Sequence, residues 1–154
     1  MKLLTHVTTS LSITLMILYI LSLFNDIYIV NAVFITSLVT NYLIDALGHR
    51  NKRRTALTHE VFNNLIISMI TSLIVWITLF SKYRLIIAVI NSLAISSMHL
   101  LMDLLTGYIY VRRLNDVYRI KLSLRRYDDF LLNTIAMCIS ELIIFLTMLT
   151  IFIR

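Results

Sequence analysis

The sequence predicts an all-α polytopic membrane protein: a bundle of about five transmembrane helices, with a short basic hairpin or interfacial segment before the last one. Three observations carry this reading. The chain is 59% hydrophobic, with two glycines and no proline among 154 residues. Its mean hydropathy is +0.87. Five stretches, 3–24, 27–47, 61–80, 85–105 and 130–153, are each long enough to cross a bilayer, which takes about 20 apolar residues. Composition of this kind excludes an ordinary soluble domain.

The corresponding helices are expected over about 3–24, 27–48, 58–80, 85–106 and 129–153, and the whole of 1–154 reads as one integral membrane domain. The first segment has a single early lysine, Lys2, and a longer apolar run than a signal peptide's core of about 7–15 residues. It is expected to be a retained helix. Thr58 is expected to cap the third helix. The sole cysteine, Cys138, cannot form an internal disulfide and is expected to be buried in the last helix. Between the fourth and fifth helices, Tyr118, Ile120, Leu122 and Leu124 alternate with Arg119, Lys121, Ser123 and Arg125. Period two, with Asn115–Asp116 between two such runs, predicts a hairpin within 108–127; an amphipathic interfacial helix is the alternative. Asp128 is expected to cap the fifth helix.

Five crossings divide the loops between two sides. Lys2, Arg50, Lys52, Arg53, Arg54, Arg112, Arg113, Arg119, Lys121, Arg125 and Arg126 fall on the side of the N-terminus. Only Lys82, Arg84 and Arg154 fall on the other, beside the turns at Asn25–Asp26 and 81–84. Cytoplasmic loops are enriched in Lys and Arg, so the N-terminal side is expected to be cytoplasmic and the C-terminus outside. The net charge of +6 is thus mostly a topology signal. It does not suggest nucleic-acid binding, because no aromatic stacking module surrounds the basic residues. Membrane lipid is the expected partner. Self-association is a further expectation, though no strong small-xxx-small run supports it.

All four histidines, His6, His49, His59 and His99, fall at the cytoplasmic end of this arrangement, with Asp45 and Asp103. Asp45/His49 and His99/Asp103 are each four apart, so each pair shares a helix face. Imidazole with carboxylate suits a divalent metal, zinc first. Six donors exceed what one tetrahedral ion needs, so either two ions bind or some members orient the ligands. Asn41 and Asn63 are candidates for that supporting role. Singly, such residues at helix ends are often just interfacial; as a set, with no histidine outside it, they point to a site. Arg53 and Arg54 are candidates to hold a phosphate, or equally a loop on anionic lipid. Glu60 is a candidate general base, or an acid in the first turn of a helix. Glu141 falls near mid-bilayer, where an ionised acid is costly; it is expected to be protonated or to bond Asn91 or Asn31 inside the bundle.

The runs Met-Lys-Leu-Leu-Thr-His6, Asp45-Ala-Leu-Gly-His49, Arg53-Arg54-Thr-Ala-Leu-Thr58-His59 and His99-Leu-Leu-Met-Asp103-Leu-Leu-Thr106 resemble the YdjM-type membrane-bound predicted metal-dependent hydrolases, most closely their small archaeal branch. Arg126-Tyr127-Asp128-Asp129 with Asn133 extends the resemblance to nearly the whole chain. Only the combination of these short motifs is specific. The resemblance implies a histidine/aspartate metal site and a remote relation to zinc-dependent phospholipase C and P1-type nucleases, hence phosphoester hydrolysis. Glu60 stands where that family usually has serine, and Phe130 where it commonly has proline.

Three function classes follow: a metal-dependent hydrolase at the cytoplasmic surface, a non-catalytic membrane or envelope protein with a structural metal, and an ion-coupled transporter. The last is disfavoured because the outer half of the predicted bundle offers few polar residues.

Overall fold

The computed structural model describes residues 2–23, 27–50, 53–77, 84–114, 116–122, 126 and 128–153. The predicted turns at Asn25–Asp26 and 81–83, the end of the third predicted helix at 78–80, and Asn115, Ser123, Leu124 and Arg125 at the hairpin lie outside these residues. So do Lys52, Lys82, Tyr127 and Arg154.

The elements run α1 (Leu3–Ile20), α2 (Ile27–Gly48), β1 (His49–Arg50), β2 (Arg53–Arg54), α3 (Ala56–His59), α4 (Val61–Ile77), α5 (Arg84–Thr106), β3 (Tyr108–Arg113), β4 (Asp116–Lys121) and α6 (Phe130–Phe152). Four helices, in α1, α2, α5 and α6, are long and apolar enough to cross a membrane; α4 is apolar but its described part has 17 residues. The helices are rich in Ile, Val and Thr, whose branched side chains are middling helix formers in water. Propensity is a weak term, and the packing of these helices on one another outweighs it.

α1 packs against α2, α5 and α6, while α4 packs against α5 and α2. α6 rests mainly on α1, with Leu131, Ile135, Leu142, Phe145, Leu146 and Leu149 exposed along its length. The start of α6 is tied to the start of α1: Asn133 Oδ1 accepts from Thr5 Oγ1 at 2.8 Å and from the Lys2 backbone N–H at 3.2 Å. Asp129, not Asp128, caps α6, its Oδ1 accepting from the Leu132 N–H at 2.8 Å. Cys138 is exposed, contrary to expectation, and so is Glu141. Both corrections have one cause: the face of α6 turned inward carries Asn133, Ser140 and Thr147, seven residues apart, and Cys138 and Glu141 lie off it. Asn91, the expected partner of Glu141, accepts instead from Thr14 Oγ1 at 3.2 Å, and Asn31 is exposed.

The predicted third helix is two pieces. Glu60 adopts extended backbone angles, φ −85° and ψ 136°, between α3 and α4. Its carboxylate accepts from the N–H groups of Phe62 and Asn63, both at 3.1 Å, and so caps α4. Thr58 caps nothing; its hydroxyl donates across to the Ile44 carbonyl at 2.8 Å. The predicted hairpin is present, with β3 and β4 antiparallel and register pairs from Tyr108↔Lys121 to Arg113↔Asp116.

The bundle has two unlike ends. Away from the hairpin, Leu11, Leu15 and Leu18 meet Ile29, Ala32, Val33, Trp76, Ile87 and Ala88 in one apolar cluster. At the other end the buried side chains are His6, Asn41, His59, His99 and Asp103.

Candidate metal centre

Five segments converge at the polar end. α1 brings His6, the close of α2 brings Asp45, β1 brings His49, α3 brings His59, and α5 brings His99 and Asp103. His59, His99 and Asp103 are at most 1% exposed, and His6 is equally buried; Asp45 and His49 form the open edge, at 24% and 36%. All six residues expected from the sequence are therefore gathered in one place.

The hydrogen bonds fix which ring nitrogens face inward. Asn41 Nδ2 donates to the Ser37 carbonyl at 2.7 Å and to Ser10 Oγ at 3.0 Å, which sets the amide's orientation. Its Oδ1 then faces His99 Nδ1 at 2.8 Å. A carbonyl oxygen only accepts, so His99 Nδ1 carries a proton and Nε2 is the nitrogen turned away from Asn41. His59 is held the same way. The Thr58 hydroxyl proton goes to Ile44, so at 2.9 Å His59 Nδ1 must be the donor, and its Nε2 is bare.

Both Nε2 atoms face one carboxylate. His59 Nε2 lies 3.2 Å and His99 Nε2 3.3 Å from Asp103 Oδ2. None of these three atoms has a hydrogen-bond partner, though all are buried. The lone pair of His59 Nε2 set against a carboxylate is repelled unless a cation or a proton lies among these atoms. The spacing has the right size. Ligand bonds of about 2.0–2.1 Å to tetrahedral zinc put ligand atoms about 3.3–3.4 Å apart. The remaining separations are similar: His49 Nε2 to Asp45 Oδ1 3.4 Å, His6 Nε2 to Asp103 Oδ1 3.5 Å, and His99 Nε2 to Asp45 Oδ1 3.6 Å. Three triads could hold an ion: His6/Asp45/His99, Asp45/His49/His59 and His59/His99/Asp103. Asp45, His59 and His99 each belong to two of them, so the set could also bridge two ions. His59, which lies outside the membrane-length helices, has its pKa pushed down by burial to about 4, so its ring is neutral at pH 7, as a ligand must be.

Arg54 is a neighbour of this site rather than a free anion receptor. Its NH2 donates to Asp103 Oδ1 at 2.6 Å and to Thr106 Oγ1 at 3.2 Å. That bond occupies one oxygen of Asp103 and leaves Oδ2 turned toward the histidines. Arg54 Nε is buried without a partner. Arg53 is described by its backbone alone, in β2 opposite Arg50. Glu60 is not gathered into the cluster; both its oxygens are engaged in the α4 cap. Asn41 has the expected supporting role, whereas Asn63 donates to the Ala56 carbonyl at 3.1 Å, away from the ligands.

Two contributors were not anticipated, although composition flags them: the chain's only two glycines both abut the site. A Cβ on Gly48 would overlap Thr58 Oγ1 and the His59 ring, and one on Gly107 would overlap the Arg54 guanidinium. Each lets the backbone close on a residue that shapes the cluster.

The fold and the site together define a class: an apolar helical bundle, with helices that could cross a membrane, enclosing a buried His/Asp cluster that could hold a metal ion. Residues 1–110 match the family described as "Protein of unknown function (DUF1286)", and the chain belongs to that family. The matched span contains every residue of the cluster and stops at β3. No curated protein and no solved structure matches the chain.

Proposed function

We propose that this protein is an integral membrane, metal-dependent hydrolase of a phosphoester, acting at the cytoplasmic surface, with zinc as the ion and a phospholipid headgroup as the substrate class. The observation that carries it is the pair of buried Nε2 atoms without hydrogen-bond partners, of His59 and His99, facing the unpartnered Oδ2 of Asp103. His6, Asp45, His49, His59, His99 and Asp103 would hold one or two ions. A divalent ion there would polarise a phosphoryl group and make water a better nucleophile.

The protein's own groups complete the arrangement. Asn41 and Thr58 hold the His99 and His59 rings. Arg54 orients Asp103 through its bond to Oδ1. The graded exposure, closed at Asp103 and open at Asp45 and His49, leaves an approach for substrate. The hairpin fits a lipid surface as partner. One face carries Ile109, Ile120, Val111 and Tyr118; the other carries Tyr108, Tyr110, Arg119 and Lys121. Tyr108 links that face to the site, its ring 4.9 Å from the Arg119 guanidinium and 6.0 Å from that of Arg54.

The test is elemental analysis of purified wild-type protein beside His99→Ala and Asp45→Ala, with turnover of phosphodiester and short-chain phospholipid substrates measured with and without chelator. Metal in the wild type, its loss in the variants and chelator-sensitive turnover are expected. Equal metal in all three ends the reading. The deep burial of His59, His99 and Asp103 favours a second reading, a structural clamp between helices. Metal retention without turnover would select it.

A further inference from the structure

Below the cluster, α4 presents Asn64, Ser68, Ser72 and Trp76, each four residues after the last and so on one helix face. All four are buried, at 0–1% exposure. Each carries a polar atom with no partner: Asn64 Oδ1, Ser68 Oγ, Ser72 Oγ and Trp76 Nε1. Ser37 Oγ of α2 and Asn91 Nδ2 of α5, on the two helices packed against α4, are buried and unpartnered as well. Elsewhere in this bundle hydroxyls take the usual route in an apolar setting, donating to a carbonyl three or four residues back. Ser10, Thr36 and Thr71 all do so. The serines of this stripe do not.

The chemistry of the unpartnered atoms selects a ligand. A bare cation wants acceptors alone, and an anion donors alone. This set mixes an acceptor (Asn64 Oδ1), donors (Trp76 Nε1, Asn91 Nδ2) and hydroxyls able to do either. Water matches such a set. The spacing agrees. Successive rungs are about 6 Å apart along the helix axis, too far to bond one another and about two hydrogen-bond lengths of 2.7–2.8 Å. One water can therefore bridge each pair of rungs.

We propose that this stripe is an internal hydration site, a file of water molecules held between α2, α4 and α5. Its upper end adjoins the His/Asp cluster, because Asn64 Nδ2 donates to the carbonyl of Thr58, the residue that holds His59, at 3.0 Å. Its lower end stops at Trp76, which packs among Leu15, Leu18 and Ile87. The file is thus a closed store beside the cluster and not a route across the bundle. It stands whether or not the cluster is catalytic.

Radiolytic hydroxyl labelling of the full chain in lipid nanodiscs tests this, because radicals generated from bound water label buried neighbours. Trp76 is the only tryptophan, so its oxidation is read without ambiguity. The expected rate for Trp76 is within about tenfold of that of exposed Tyr118, as suits contact with ordered water. Ser68→Ala with Ser72→Ala should cut it at least about threefold, leaving Tyr118 unchanged. If the double variant is not recovered folded, Ser72→Ala alone is read the same way. A wild-type Trp76 rate at background, or one that the substitutions leave unchanged, overturns the proposal.

Discussion

The two ends of this bundle are built by different rules. At the apolar end Leu15, Leu18, Val33 and Ile87 are wholly buried and carry no polar side-chain atom. At the polar end His59 Nε2, His99 Nε2 and Asp103 Oδ2 are just as buried and have no partner. Close packing of apolar side chains supplies most of the first, with Trp76 Nε1 its one unpartnered polar side-chain atom among the described residues. In the second, buried His/Asp atoms gathered without partners in this way could hold a metal ion.

Substitutions at the two ends should separate stability from metal binding. The largest effect is expected from Asp103→Ala. It removes a ligand and strands the Arg54 guanidinium, so metal content should fall to background and stability by roughly 3–5 kcal/mol, read by elemental analysis and thermal unfolding in detergent. Leu15→Ala at the other end should lower stability by about 2–4 kcal/mol through the cavity it leaves, while metal content stays at the wild-type level. Loss of metal there would mean the ends are not independent. Asn41→Leu should leave the ligands in place but free the His99 ring, weakening metal affinity roughly 10–100-fold in a competition titration with a chelating dye. Glu60→Gln should cost about 1 kcal/mol through the α4 cap and spare both metal and turnover; abolished turnover would restore Glu60 as a base.

The smallest effect concerns pH. Burial holds His59 at about 4 in the folded chain, against an ordinary value of 6.5. Between those values the unfolded chain binds a proton that the folded chain does not. Stability of the metal-free protein should therefore fall as pH drops from 6.5 toward 4. His59→Gln should flatten that part of the slope in a pH series of unfolding midpoints.

The cluster was legible in the sequence because histidine and aspartate are conspicuous in an apolar chain and their order along five segments placed them at one end. The hairpin was legible from strict alternation. The break at Glu60 was not, since no glycine or proline marks it; a tertiary demand, the bond from Thr58 to Ile44, sets it. The buried side of α6 was legible from Asn133, Ser140 and Thr147, seven residues apart, but an expectation that apolar residues face inward misplaced Cys138 and Glu141. The stripe from Asn64 to Trp76 was hidden for another reason. Serine is common in membrane helices and normally bonds its own helix, so only coordinates distinguish a hydroxyl that does not.

The close approach at Gly48 bears on which ion the proposed site would accept. Because main chain rather than side-chain length sets how near α2 comes to Thr58 and His59, the cage has little room to breathe. Ions that prefer long bonds and many oxygens, such as calcium, would have to push whole helices apart to be accommodated. Small ions content with four short bonds would not.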